Sequence, residues 1–307
     1  MLDNVTPFPL PPTDDDPFAK YNTPASPIMF AVGERKSAWQ RRDGGYQPTD
    51  DYKAIVRVNQ SGDGGHLLKF VGHNYNLVHN RELFSCVEDT MRNQMLPEHL
   101  VNVQVTDKVS GFGRTCFRDY VFPNIRCKVG PRSDVAFRII VQNGYGGSAL
   151  RIHTGAIDFF CTNGMIRGEH TTTYKKHTKG LFIPGIVKAI TAALLEYGAA
   201  QDVWKRWADT RVDTNAACDF FTEIAHSIKM KDNLIEQYAH ERDEHGPNLW
   251  AVYSTLTNYA SHNDGMFALR RLSDDKDTSA ATMMQREINV SQWIQHPEWK
   301  AMEVTQA

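Results

Sequence analysis

The sequence predicts an α+β fold, an antiparallel sheet flanked by helices with a helical C-terminal third. Three observations carry this reading. Between residues 101 and 161, apolar residues alternate with polar ones in short runs separated by glycine-rich turns, the pattern of half-buried strands joined as hairpins. From Ile183 onward the apolar spacing changes to three and four, the period of an amphipathic helix. The strand-like runs follow one another without the intervening helix that a parallel crossover needs, so the pairing is antiparallel.

Residues 1–50 read as an extended or disordered arm. Seven of the fourteen prolines fall within residues 1–28, together with Asp14-Asp15-Asp16. Such a composition buries too little apolar surface to offset chain entropy. Arg41-Arg42-Asp43-Gly44-Gly45 reads as a loop, and the ordered body is expected to begin near Tyr52. Residues 51–180 read as mainly antiparallel β with one helix. Ala54 to Val58 forms a strand, Ser61 to Gly65 a turn and His66 to Val71 a returning strand. Asn80 then precedes Glu82, Leu83, Phe84, Val87 and Met91 at helical spacing, which predicts a helix over 81–94, capped by Asn80 and ended by Pro97.

Val101, Val103 and Val105 alternate with Asn102, Gln104 and Thr106, and the chain turns at Ser110 to Gly113 and returns from Arg114 to Phe122. Val135, Phe137, Ile139 and Val141 alternate again, with Arg138 and Gln142 on the opposite face. Asn143 to Gly147 turns into a last strand, Ala149 to Cys161. Residues 181–307 read as a helical part packed on the same domain. Ile183, Ile186, Val187, Ile190, Leu194 and Tyr197 share a helix face that Trp204 and Trp207 extend. Asp213 and Asn248 start two further helices, and Trp293, Ile294 and Trp299 supply a tail that docks onto the body.

Composition narrows the class. A chain of 307 residues with 41% hydrophobic and 23% charged residues suits one large domain or two small ones with a proper core. No apolar run is long enough for a membrane span, and the N-terminus lacks the basic start and apolar stretch of a signal peptide, so a cytoplasmic location is expected. Five cysteines with no Cys-x-x-Cys pair read as free, buried thiols, with no structural zinc. The net charge of -2 hides an uneven distribution. Residues 100–180 hold twelve Lys and Arg against five Asp and Glu, and residues 181–307 hold twelve against eighteen. A basic block inside an acidic chain points to an anionic partner, nucleic acid foremost. The alternative is that its arginines pair with the acidic C-terminal third.

The candidate site runs from Arg151 to Lys179. Arg151 and His153, two apart, share one strand face, and Arg167, His170, Lys175, Lys176, His177 and Lys179 follow in a threonine-rich segment. Such a segment offers phosphates both cations and neutral donors. Tyr145, Tyr174 and Phe112 are candidates to stack bases, and Arg114, Arg118 and Arg138 extend the basic surface if their strand faces agree. Asn163 and Gly164 shape the turn after the strand. Catalytic patterns are weaker. His240 and His245 point about 140° apart on a helix, the glycine-rich turns lack a Walker ending, and neither a metal set nor a cofactor motif stands out.

Asn143-Gly144-Tyr145-Gly146-Gly147-Ser148, followed by Asp158-Phe159-Phe160-Cys161-Thr162-Asn163-Gly164-Met165, resembles the phage- and plasmid-encoded proteins grouped as a domain of unknown function. The His177-Thr178 step and Trp250 with Asn258-Tyr259 match in register, so the resemblance covers about residues 55–262. The turn reads Gly-Tyr-Gly-Gly-Ser where many members carry His-Asp-Gly-Ser, so no catalytic His or Asp is carried over. The resemblance implies a mobile-element origin and supplies no activity. The order helix, antiparallel sheet, long helix is also similar to the core of single-strand annealing proteins of phage recombination, which implies a basic groove for single-stranded DNA and ring-like homo-oligomers.

The expectation is therefore a phage- or plasmid-type protein that binds single-stranded nucleic acid without chemistry, in replication or recombination and with strand annealing as its sharpest form. Two alternatives stay open. One is an interaction protein that blocks or redirects a host factor through its acidic third and its arm. The other is a metal-dependent enzyme acting on nucleic acid through His153, Asp158 and His177.

Overall fold

A computed structural model describes residues 16–59, 65–146, 150–158, 163–166, 183–262 and 279–304. The fold is α+β, with antiparallel sheets flanked by helices. A three-stranded sheet comes first, in the order β1 (Val32–Gln40), β2 (Tyr46–Val58), β3 (Gly65–Gly72). Two helices follow, α1 (Asn80–Gln94) and the single turn α2 (Pro97–Leu100). The second sheet runs β4 (Gln104–Ser110), β5 (Thr115–Val129), β6 (Ser133–Gly144), β7 (Arg151–Asp158), β8 (Asn163–Ile166), each strand pairing antiparallel with the next. The chain then turns helical through α3 (Ile183–Asp209), α4 (Thr214–Ile224), α5 (Ile228–His245), α6 (Leu249–His262), α7 (Ser279–Trp293) and α8 (Pro297–Val304).

One face of the five-stranded sheet carries Cys116, Tyr120 and Phe122 of β5, Val135, Phe137, Ile139 and Val141 of β6, and Ile152 of β7, all buried. Leu83, Phe84, Val87 and Met91 of α1 join the same core, as their helical spacing predicts. A run of ring contacts carries that core into the helical third: Phe122 to Phe137, Phe137 to Tyr197, Tyr197 to Trp204, Trp204 to Trp250, Trp250 to Tyr253, then Trp207 and Trp299. The helices thus share the core of the sheet, and the expected docking of Ile294 and Trp299 is realised, both being buried. Asp213 caps α4, accepting from the N–H groups of Asn215 and Ala216, and Asn248 accepts from the N–H of Ala251 at the start of α6.

Three expectations fail here. The ordered body begins by Asp16. Phe18 and Ile28 are fully buried, Phe18 meets Tyr120 edge-on at 5.8 Å, and Asp16 pairs with Arg92 at 2.7 Å. The stretch expected to be a loop inside an arm is a hairpin turn, with the Arg41 and Gly45 backbones bonded at 2.7 Å and Gly44 at φ +83°. Residues 1–15 of the expected arm lie outside the described residues. Asn80 does not cap α1, whose cap is His79. Asn80 is buried, its side chain donating to Ile28 O and accepting from Asn143 Nδ2, both at 2.7 Å, which ties the N-terminal segment to the sheet. That tertiary gain outweighs the roughly 1 kcal/mol of a cap.

Candidate functional site

The sequence-predicted site separates into parts with different fates. Arg151 and His153 do share a face of β7, directly opposite Gln142 and Ile140 of β6. His153, however, is only 3% exposed, and burial, followed by the nearby Arg151 and Arg138 charges, lowers its pKa to about 4. It is a neutral, enclosed imidazole and not a surface cation. Tyr145 is fully buried, its hydroxyl accepts the Asn80 N–H at 2.8 Å and its ring leans on Phe30, so no base can reach it. Phe112 stacks on His66 at a centroid distance of 3.9 Å. Arg167, His170, Tyr174, Lys175, Lys176, His177 and Lys179 lie outside the described residues. His153 and Asp158, five apart on β7, point to opposite faces, so the acid–base pairing considered for them is not assembled.

Four of the twelve cations of the basic middle block are held in ion pairs, two of them buried and two at the rim. Arg118 is completely buried on the core face, and all five of its N–H groups have acceptors. Nε and Nη2 grip Asp107 at 2.7 and 2.8 Å, Nη1 reaches Asn22 and Glu88, and Nη2 also reaches Tyr21 O. Arg138 is buried on the other face, held by Asp119 at 2.6 Å and by Glu287 of α7 at 2.9 Å. Arg126 pairs with Asp134 at 2.9 Å, and Arg132 pairs with Glu244 of α5. Arg118 and Arg138 therefore extend no common surface. Arg132 and Arg138 pair with the acidic C-terminal third, as the alternative reading of the charge pattern held.

Exposed recognition chemistry gathers elsewhere, on the three-stranded sheet. Among the described residues the exposed aromatic side chains are Trp39 (55%), Tyr46 (70%), Tyr52 (56%) and Phe70 (55%), all in this sheet. The register aligns Arg35 of β1, Ala54 of β2 and Phe70 of β3 in one row across the strands. Tyr52 lies two residues along β2 on the same face, and the exposed Leu67 stands beyond the row, opposite Val56. Ile55 points the other way and is fully buried. Strands about 4.8 Å apart place this row within the span of a few nucleotides. Arg35, Lys36, Arg42 and Lys69 are exposed and make no ion pair among the described residues, whereas Lys53 is held by Glu34 at 2.7 Å. Arg35 shares the face of the row and Arg42 sits in the hairpin turn, while Lys36 and Lys69, in register with Lys53 and Ile55, point to the other face.

A scan of protein families matches residues 67–289 to the Domain of unknown function (DUF932). The chain belongs to this family. No curated protein and no solved structure matches it. The DUF932 match opens inside β3, so β1 and β2, with Arg35, Trp39, Tyr46 and Tyr52, precede the matched segment. No helix among the described residues is long and apolar enough to cross a membrane. Among the described residues, no three His, Cys, Asp or Glu side chains converge as a metal site. Cys86, Cys116, Cys127 and Cys218 are free thiols, and burial pushes Cys116 up to about 12. Sequence reasoning found β3 and the end of β2 but missed β1 and the exposed face, although Asp43-Gly44 between Trp39 and Tyr46 is a hairpin signal.

Proposed function

We propose that this DUF932 protein binds single-stranded nucleic acid, in the replication or recombination of mobile DNA, with strand annealing as its sharpest form. The observation that carries the reading is the solvent face of the three-stranded sheet, where Tyr52, Phe70 and Leu67 surround Ala54 beside Arg35. Exposed rings beside the Arg35 guanidinium suit a flexible polyanion whose bases are free to stack. A duplex keeps its bases stacked on each other, so the rings favour an unpaired strand. Arg35 on this face and Arg42 at the hairpin turn take phosphates, and the Arg167 to Lys179 strip adds cations in the same role.

The test is fluorescence anisotropy of a labelled single-stranded oligonucleotide against the full chain at low and moderate salt, with Y52S/F70S and K175A/K176A/K179A variants. Two phosphate contacts on the sheet predict a log–log salt slope of about -1.4 at about -0.7 per contact, steeper if the Arg167 to Lys179 strip takes part. Each lost stack is worth about 1–3 kcal/mol, so Y52S/F70S binds at least roughly tenfold more weakly. Both changed side chains are exposed, so the variant keeps its fold. Absence of binding at low salt, or binding indifferent to salt and to Y52S/F70S, overturns the reading. If the same face instead retains a host protein without salt dependence, the interaction-protein alternative replaces it.

A further inference from the structure

The two faces of the five-stranded sheet differ in chemistry. The core face is mainly apolar, with Arg118, Asn143, Thr154 and Asp158 as its buried polar residues. The other face carries Asp119 on β5, Arg138 and Gln142 on β6, and Arg151 and His153 on β7. Helix α7 lies over this second face. Its apolar contact there is small, Met284 against Phe117 and Ile140 with Ala280, Ala281 and Ile288 at the margin, and it forms a cluster separate from the main core. Beside it lies an ion pair, with Glu287 Oε2 accepting from Arg138 Nη1 at 2.9 Å. The C-terminal half of α7 is anchored differently, through Val290 and Ile294 in the main core.

A helix can cover a sheet by apolar packing alone, and a buried ion pair is often no more stable than a well-packed apolar replacement. Covering the sheet with α7 therefore does not by itself require an arginine flanked by two carboxylates. A second observation points to a ligand. His153 stands opposite Ile140, diagonal to Arg138 on the same face, and its Nε2 is buried without a hydrogen-bond partner among the described residues. Buried polar atoms are rarely left so. An arginine holding a carboxylate supplied by α7, beside an imidazole with an unfilled nitrogen, has the donor set of a phosphate site.

We propose that this sheet face is a phosphodiester site closed by α7, with Glu287 occupying the place of a phosphate oxygen on Arg138. When the N-terminal half of α7 lifts, Arg138 and His153 take the oxygens of an entering phosphate, and Asp119 continues to hold the guanidinium in plane. The identity of the phosphate as part of a single strand rests on the function proposed above, but the site itself does not.

The experiment uses the full chain, wild type and Glu287→Gln, a change that removes the charge and keeps the shape. Hydrogen exchange over residues 279–288 is followed with and without a single-stranded oligonucleotide, and anisotropy gives the affinities. The expected result is faster exchange of this half-helix on binding and an affinity about tenfold higher for E287Q. In parallel, inorganic phosphate is titrated into E287Q while the His153 imidazole resonance is recorded by NMR, and that resonance is expected to shift. Protected α7 amides, an unchanged E287Q affinity and a silent His153 resonance overturn the closed site. If those results accompany weakened binding by Y52S/F70S, the nucleic-acid reading stands without it. If phosphate moves His153 in a protein that binds no oligonucleotide, the site stands and the nucleic-acid reading falls.

Discussion

Replacing Arg118 by Met tests how the N-terminal segment is attached to the sheet. The guanidinium joins Asp107 of β4, Glu88 of α1, the Asn22 side chain and the Tyr21 carbonyl, and it is shut off from water. Methionine fills much of the volume but leaves two carboxylates facing each other without a cation. Removing one partner of a buried pair costs about 3–5 kcal/mol, which in a domain of this size lowers Tm by roughly 6–20 °C. The pH dependence identifies the cause. Burial already raises the Glu88 pKa, and Arg118 is the largest influence opposing that rise. In R118M the Glu88 pKa climbs further above its unfolded value. The folded state then binds the extra proton, and stability rises as pH falls through the folded pKa toward the unfolded one. Urea unfolding followed by tryptophan fluorescence at pH 7.5 and pH 5.5 measures both effects. The deficit should be large at pH 7.5, shrink at pH 5.5, and be partly recovered by E88Q/R118M at both. A variant within about 1 kcal/mol of wild type, or a deficit that grows on acidification, refutes the reasoning.

Two further outcomes follow from single positions. The His153 pKa falls from 6.5 to about 4 on folding, so its share of stability, about 3 kcal/mol, is complete above pH 6.5 and is lost as pH drops toward 4. H153Q should flatten that part of the acid limb in thermal melts, and an unchanged limb contradicts the assignment. Gly113 sits at φ +94°, and a Cβ there meets the Phe30 ring at 2.4 Å. G113A should lose about 1–3 kcal/mol in chemical denaturation, and a variant as stable as wild type shows that Phe30 yields freely.

Strands β4 to β7 and the long helices of the last third were legible because their apolar residues recur at a period of two or 3.6, even where, as in β6, both faces are buried. Strand β8, which begins at Asn163 and Gly164, was read as a turn. The hairpin of β1 and β2 was not legible. Its register shifts between Lys36 and Ser37, and β2 shifts again against β3 between Ile55 and Val56. Its rings also face solvent, so alternation marks no core there. Proline density in the first residues then suggested an arm where Phe18 and Ile28 are in fact core. Asn80 was misread for another reason. Local spacing ranks it as a cap, and only the fold brings Ile28 and Asn143 to its side chain. The opposed faces of Arg118 and Arg138 were readable. Arg118 lies in phase with Cys116, Tyr120 and Phe122, whereas Arg138 lies out of phase with Phe137 and Ile139.

The surplus of positive charge in residues 100–180 shows why net charge by segment is a poor map of a surface. Arg118 and Arg138 are enclosed by carboxylates from other elements, and Arg126 and Arg132 are paired at the rim. A field that steers a polyanion is made by cations that solvent can see, and pairing within the fold cancels it at range. Among the described residues, unpaired cations stand beside exposed rings on the three-stranded sheet, most of which precedes the DUF932 segment. On the proposed function, the family segment supplies the rigid sheet-and-helix body and the N-terminal hairpin supplies the stacking face. The paired arginines then act as the fastenings that hold this hairpin's root and α7 to the body. That division makes a concrete demand: changing Tyr52 and Phe70 must weaken binding without moving Tm, whereas changing Arg118 must move Tm first.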